Sequence, residues 1–135
     1  MTDLLIIKLG LDGHDRGAKL LKSQLSSLGL KVEYTGIRPS NEKIISDIRK
    51  YKPFVIGISI HSGSAVKLIP TLIKELTIHN FDSIPIVVGG VLSQRDKTTL
   101  TSIGIDKIFS PGSRIDDIAD AILEITNNNY RPRGL

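Results

Sequence analysis

The stretch Leu4-Leu5-Ile6-Ile7-Lys8-Leu9-Gly10, followed by Leu11-Asp12-Gly13-His14-Asp15-Arg16-Gly17, decides the fold of this chain. Its first part is an almost continuous aliphatic run, interrupted by Lys8 and ended by Gly10. That pattern is typical of a strand that is buried on both faces. The second part is polar and rich in glycine, which is typical of a loop. We therefore predict a central parallel strand that leads through a polar loop into a helix.

The alternation of strand and helix continues to the end of the chain. Four further strands are predicted over residues 31–35, 54–59, 84–88 and 107–109. The helices are predicted from apolar residues at helical spacing: Ala18, Leu21, Leu25 and Leu28; Ile44, Ile45 and Ile48 after a cap at Ser40 or Asn41; Ala65, Leu68, Ile69, Leu72, Ile73 and Leu76 with Pro70 in or near the first turn; Leu100 and Ile103; and Ile115, Ile118, Ala119 and Ile122 after a cap at Ser113.

This order predicts an α/β, flavodoxin-like (Rossmann-like) three-layer fold, in which helices cover both faces of a five-stranded parallel sheet. We expect the strand order 2-1-3-4-5, because it places the apolar first, third and fourth strands inside. The charged and uncharged residues of the second strand alternate, as they do in an edge strand. At 135 residues the chain forms one domain. We expect that domain over residues 1–126 and a flexible tail over 127–135.

Composition excludes several classes of function. The net charge of +4 comes from scattered Lys and Arg, without the basic runs of nucleic-acid-binding proteins. There is no cysteine, which excludes disulfides and thiolate metal sites. No apolar run reaches the roughly 18 residues of a membrane-spanning helix, and no signal peptide is visible. We therefore expect a cytoplasmic protein with no nucleic-acid or membrane partner.

Ligands of such sheets bind beyond the carboxyl ends of the strands, where the strand order reverses. The loops at those ends contain small, polar or glycine residues. They comprise residues 10–17, 59–64, 89–90 and 110–113. Small residues along one rim leave room for a large flat or long ligand, and the helix N-termini that follow favour anionic groups such as a phosphodiester.

These loops resemble the Asp-x-His-x-x-Gly, Ser-x-Leu and Gly-Gly signature of cobalamin-binding domains. The matching residues are Asp12-Gly13-His14-Asp15-Arg16-Gly17, Ser59 and Gly89-Gly90. The likeness covers nearly the whole chain and is greatest to the cobalamin domain of methylmalonyl-CoA mutase and related acyl-CoA mutases. His61 departs from the pattern, because the family has leucine at that position.

The resemblance implies that His14 displaces the dimethylbenzimidazole base of the cofactor from cobalt, and that the freed nucleotide tail enters a slot beside the sheet. Asp12 then accepts a hydrogen bond from the other ring nitrogen of His14. By the same resemblance Gly17, Ser59, Gly89 and Gly90 line the slot, with Ser59 bonded to the displaced base. Gly112 and Ser113 meet the nucleotide end, and Gly13, Asp15, Arg16 and His61 complete the predicted cofactor contacts.

Structural roles remain open for several of these residues. Asp12 and Asp15 are also turn formers. Gly89-Gly90 also suits a tight exit from the fourth strand, and Ser113 suits a helix cap. His61 is compatible with a cofactor neighbour, a subunit interface or a solvated side chain, and we expect His79 to be solvated.

Three other functions fit the residues less well. A phospho-receiver domain needs an aspartate at the end of the third strand, where Ser59 stands. A serine hydrolase elbow needs a second glycine at His61. A dinucleotide site needs Gly-x-Gly-x-x-Gly after the first strand, which is absent.

The resemblance implies an isomerase subunit that binds adenosylcobalamin and, through it, cobalt. The chain has no domain for an acyl-CoA, so we expect a hetero-oligomer with a large acyl-CoA-binding barrel subunit and no catalytic residue in this chain. Methylmalonyl-CoA is the favoured substrate, and 2-hydroxyisobutyryl-CoA and isobutyryl-CoA are alternatives. A non-catalytic corrinoid carrier or sensor is a further alternative. Such proteins usually carry a helical module upstream, for which the early first strand leaves no room.

Overall fold

The computed structural model describes residues 1–10, 16–60 and 66–128 of the chain. Strands and helices alternate throughout these ranges. In chain order they are β1 (Thr2–Leu9), α1 (Arg16–Ser27), β2 (Val32–Tyr34), α2 (Asn41–Tyr51), β3 (Pro53–Ile60), α3 (Leu68–Ile78), β4 (Ile86–Gly90), α4 (Gln94–Ser102), β5 (Lys107–Phe109) and α5 (Ile115–Asn128). The strands form one parallel sheet in the order β2-β1-β3-β4-β5. The predicted fold and strand order are therefore confirmed.

The two faces of the sheet bury different sets of side chains, because successive residues of a strand point to opposite faces. Ile56, Ile58 and Ile60 of β3 pack into the larger apolar core with residues of α2, α3 and α4. Val55 of β3 packs into the smaller core with residues of α1 and α5. α1 and α5 therefore cover one face together, and the other three helices cover the opposite face.

The polar second strand lies at the sheet edge, as predicted, where Lys22 of α1 pairs with Glu33 at 3.4 Å. Ser40 is the N-cap of α2, since its side chain accepts a hydrogen bond from the backbone amide of Lys43. Pro70 is the third residue of α3 and so falls in the first turn, where backbone amides have no helical partner. None of the helices within the described ranges is both long and apolar enough to cross a membrane.

Two local predictions are wrong, and a third is confirmed in part. Leu28 lies beyond the end of α1 and is 46% exposed, because the helix stops at Ser27 before the left-handed Gly29. Ser113 is not the cap of α5, which begins at Ile115; its hydroxyl donates to the carbonyl of Ser110 at 2.6 Å and closes the turn. His79 is only partly solvated, because its Nδ1 lies 3.1 Å from the guanidinium of Arg49.

Candidate functional site

An open cavity of about 620 Å³ lies between α1, α5 and the sheet face that these two helices cover. Its volume is within the range of small-molecule sites in proteins, roughly 300–1,000 Å³. The helices supply apolar walls, through Leu20 and Leu21 on one side and Ile118 and Ile122 on the other. The cavity extends from the carboxyl ends of β3 and β4, where Ser59 and Gly90 border it, to Leu4 and Ile6 of β1.

The floor of the cavity is formed by small residues of the two central strands. Gly57 and Ser59 of β3 lie on the same face as Val55, because they follow it at even spacing, and Gly89 of β4 shares that face because it is in register with Ser59. Ser59 is in register with Gly89 on one side, and Gly57 with Val87. Large side chains at these three positions would fill the space, so the cavity exists because β3 and β4 carry small residues on this face.

The mouth of the cavity is bordered by the turn after β5 and by the first turn of α1. Gly112 adopts a φ of 81° in that turn, which favours glycine. A Cβ atom built on Gly17 or Gly112 would have no other atom within 4 Å, so both glycines face open space. They leave the entrance wide enough for a bulky group.

Gly89 and Gly90, which are adjacent, have different structural roles. A Cβ atom on Gly89 would meet nothing within 4 Å and would project into free space. Gly90 has a φ of 154°, and its Cβ atom would collide with the backbone carbonyl oxygen of Ile60. Gly90 is therefore required by the close approach of two strands, while Gly89 keeps the cavity floor open.

The two helix N-termini at the mouth differ in charge. α1 has no acidic residue in its first turn and begins with the exposed cation Arg16. α5 carries Asp116 and Asp117 in its first turn. Both helix dipoles favour an anion at this end, but the two carboxylates oppose it at α5. An anionic group is therefore better accommodated at the α1 side of the mouth.

Six of the residues predicted to bind a cofactor border this one cavity, although they come from four loops. They are Gly17, Ser59, Gly89, Gly90, Gly112 and Ser113. Arg16 is described but does not line the cavity. Asp12, Gly13, His14, Asp15 and His61 lie outside the described residues. Within the described ranges no cluster of three or more His, Asp or Glu residues could hold a metal.

Two cavity features were missed at the level of sequence. Gly57 was considered only as part of a hydrolase elbow, and the helix residues only as core. The signal was the alternation along β3. One face carries Val55 and then the small residues Gly57 and Ser59, while three isoleucines occupy the other face. A strand that carries large residues on one face and small ones on the other indicates a ligand on the small side.

Lys8 is a further residue that sequence reasoning passed over. It is 2% exposed and lies in register with Ser59, on the cavity face of β1. Burial of a charge is costly unless it is paired. Lys8 has an interaction partner in the structure, so its buried charge at the strand end is accommodated.

Comparison with known proteins agrees with this geometry. Residues 2–119 match the family model described as the B12 binding domain. The chain belongs to the B12-binding domain family. This B12-binding chain is 34% identical to the ethylmalonyl-CoA mutase of Methylorubrum extorquens over 108 residues, which are 80% of the chain and 16% of that enzyme. It is 33% identical to the methylmalonyl-CoA mutase of Cereibacter sphaeroides over 122 residues, which are 90% of the chain and 17% of that enzyme.

The B12-binding chain therefore spans about a sixth of the length of these curated relatives. Among solved structures, the monomethylamine corrinoid protein of Methanosarcina barkeri superposes with a TM-score of 0.74 at 19% identity. The match covers 90% of this chain and 57% of that one. At this identity the likeness shows a shared fold. The predicted family and its cobalamin-binding function are thus confirmed.

Proposed function

We propose that this chain is the adenosylcobalamin-binding small subunit of an acyl-CoA mutase, with His14 as the lower axial ligand of cobalt. The observation that carries the proposal is the cavity between α1 and α5, which is bordered by Gly17, three residues after His14 in the sequence. A cobalamin whose nucleotide base has left the metal has a long tail to bury. An open, glycine-floored cavity of about 620 Å³ provides that space.

The cavity fits the tail in chemistry as well as in size. The phosphodiester is placed at the N-terminus of α1, near Arg16, where the helix dipole and the side-chain charge favour an anion. The ring of the base lies between apolar helix walls, above the flat surface at Gly57 and Gly89. Ser59 offers a hydroxyl to a ring nitrogen of the base. Gly112 and Ser113 border the ribose end.

The protein around the metal orients and protects the cofactor. Asp12 holds the imidazole of His14 by accepting a hydrogen bond from its second nitrogen, which fixes the ring orientation and raises its basicity. Gly13, Asp15, Arg16 and His61 surround the lower face of the corrin. Bound adenosylcobalamin supplies the radical chemistry of the carbon-skeleton rearrangement, while the polypeptide contributes binding, orientation and exclusion of water.

The acyl-CoA is placed on a separate, large barrel subunit that covers the upper face of the corrin. Support comes from the mutases to which the chain is similar, since each extends far beyond the matched segment. The conversion of methylmalonyl-CoA to succinyl-CoA is the favoured reaction. The mutases match at 33–34% identity, whereas the corrinoid protein matches at 19%. This difference favours the mutase over a corrinoid carrier.

Metal coordination by His14 is tested by electron paramagnetic resonance of the cob(II)alamin complex made with nitrogen-15-labelled protein. Coordination by the protein gives the splitting of nitrogen-15, and retention of the cofactor base gives that of ordinary nitrogen. We expect the nitrogen-15 pattern in the wild type and its loss in His14→Ala. An unchanged pattern in His14→Ala contradicts the proposal.

Activity is tested by mixing the chain with adenosylcobalamin and the candidate large subunit, and assaying methylmalonyl-CoA, 2-hydroxyisobutyryl-CoA and isobutyryl-CoA. We expect turnover of one acyl-CoA, and none when either polypeptide is omitted. Methyl transfer to the bound cobalamin in the presence of a methyltransferase, without turnover of any acyl-CoA, would establish a carrier instead.

A further inference from the structure

The far end of the cavity contains a polar side chain that an apolar ligand does not require. Within the described residues, the polar side chains that border the cavity are Gln24, Ser59 and Ser113. Ser59 lies near the carboxyl end of β3, and the hydroxyl of Ser113 already donates to Ser110. Gln24 stands apart from both, on the α1 wall.

Gln24 lies where the helical repeat of that wall would place an apolar residue. Leu20 and Leu21 lie three and four residues after Gly17, and Gln24 lies four and three residues after them, so all four residues share one face of α1. At 1.5 Å per residue, Gln24 is roughly 10 Å below Gly17 along the helix. The side-chain amide forms no hydrogen bond with the part of the chain that the structure describes. Gln24 is exposed in the open cavity, so its amide is available to a ligand.

The order of groups in the cofactor determines which part of it reaches this depth. The base is the last unit of the nucleotide tail, so it goes farthest from the corrin. If Ser59 bonds to the five-membered ring, the six-membered ring extends toward Gly57, roughly 7 Å lower in the strand. Gly57 borders the cavity without a side chain, so a flat ring can approach the backbone there, whereas a Cβ atom at this position would lie 3.0 Å from Cδ1 of Leu4.

We propose that Gln24 recognises the polar edge of a purine-type lower base, so that the slot accepts a corrinoid whose base is adenine. This inference rests on the proposed function and specifies its ligand. An amide both donates and accepts, and the exocyclic amine and adjacent ring nitrogen of adenine offer the complementary pair. Dimethylbenzimidazole presents two methyl groups at the same edge. Methyl groups form no hydrogen bond with the amide, so the amide bonds to water instead.

The test compares the binding of adeninyl and dimethylbenzimidazolyl cobamides to the intact chain by equilibrium dialysis, read from the visible absorbance of the corrinoid. In Gln24→Leu we expect affinity for the adeninyl form to fall about threefold to tenfold, the effect of one lost hydrogen bond. Affinity for the dimethylbenzimidazolyl form should stay constant or rise. Gln24→Ala, which does not fill the slot, should shift the ratio of the two affinities in the same direction.

Ser23→Leu is the matched control, because Ser23 is exposed on the same helix and does not line the cavity. It should leave both affinities unchanged. Equal loss of both cobamides in Gln24→Leu and Gln24→Ala, or no loss of either, overturns recognition by Gln24 and leaves the proposed function intact. Failure of the wild-type chain to bind either cobamide overturns the proposed function itself.

Discussion

At the scale of single residues, two adjacent glycines have different roles: Gly90 is needed for stability, and Gly89 is needed for the cavity. The backbone of Gly90 approaches Ile60 so closely that a side chain has no room, and its φ of 154° is one that L residues rarely adopt. Gly89 has neither constraint and borders the cavity. The glycine pair therefore combines a requirement of the fold with a requirement of the ligand.

We predict that Gly90→Ala lowers the free energy of unfolding by about 2–4 kcal/mol, because the new methyl group collides with a carbonyl and the backbone is strained. Gly89→Ala should leave stability unchanged or raise it by up to about 1 kcal/mol, since alanine restricts the unfolded chain. Its methyl group should instead weaken cobalamin binding. Urea denaturation and equilibrium dialysis of both variants provide the measurements, and similar losses of stability in the two would contradict the assignment.

At the scale of elements, α2 packs on the sheet although its buried face contains a carboxylate, that of Asp47. The side chain of Asp47 is 5% exposed, and its Oδ1 accepts a hydrogen bond from Nζ of Lys43 at 2.9 Å. Within the described part of the chain, the other oxygen is buried without a hydrogen-bond partner. The hydrogen bond to Asp47, and secondarily its charge, raise the pKa of Lys43 above its ordinary value. Lys43 therefore pairs with the buried charge of Asp47.

The raised pKa of Lys43 fixes the sign of a pH effect. Its contribution to stability is complete below the unfolded pKa of Lys, about 10.4, and is lost as pH rises through the higher folded value. We predict that Lys43→Met is less stable than the wild type at pH about 8, and that the difference shrinks above pH about 11. Thermal unfolding across this range measures it. A difference that stays constant with pH would contradict the role of the ammonium group.

At the scale of the whole molecule, the sheet and two of its helices enclose a cavity that is open to solvent. Leu20 and Val91 border it and are 56% and 69% exposed. Exposed apolar surface of this kind is covered when a ligand binds. A ligand that binds only the folded state stabilises it by mass action.

We predict that cobalamin at about 100 times its dissociation constant raises the free energy of unfolding by about 2.7 kcal/mol. For a domain of this size the midpoint of thermal unfolding should rise by about 10 °C. Cobinamide, which lacks the nucleotide tail, is the matched control and should bind more weakly. Equal affinity for cobalamin and cobinamide would show that the tail does not occupy the cavity.

Much of the architecture followed from residue patterns, because burial on both faces requires apolar runs. The runs at residues 4–9 and 54–59 predicted the central strands, and the alternation at 31–35 predicted the edge. Exact helix ends did not follow. Leu28 has the spacing of a helix residue and Ser113 is a typical cap, but each lies in a turn next to its helix. The contact of His79 with Arg49 did not follow either, because the two residues are distant in sequence.

The sequence by itself determined the fold, the family signature and the list of candidate loops, because periodicity and short motifs are local properties of the chain. Only the tertiary structure brought Gly17, Ser59, Gly89 and Gly112 to one cavity and added Gly57 and Gln24 to it. The physical reason is that a cavity is the space between elements that are far apart in the chain. Its shape depends on which faces pack together, and the local alternation along β3 indicates only the floor.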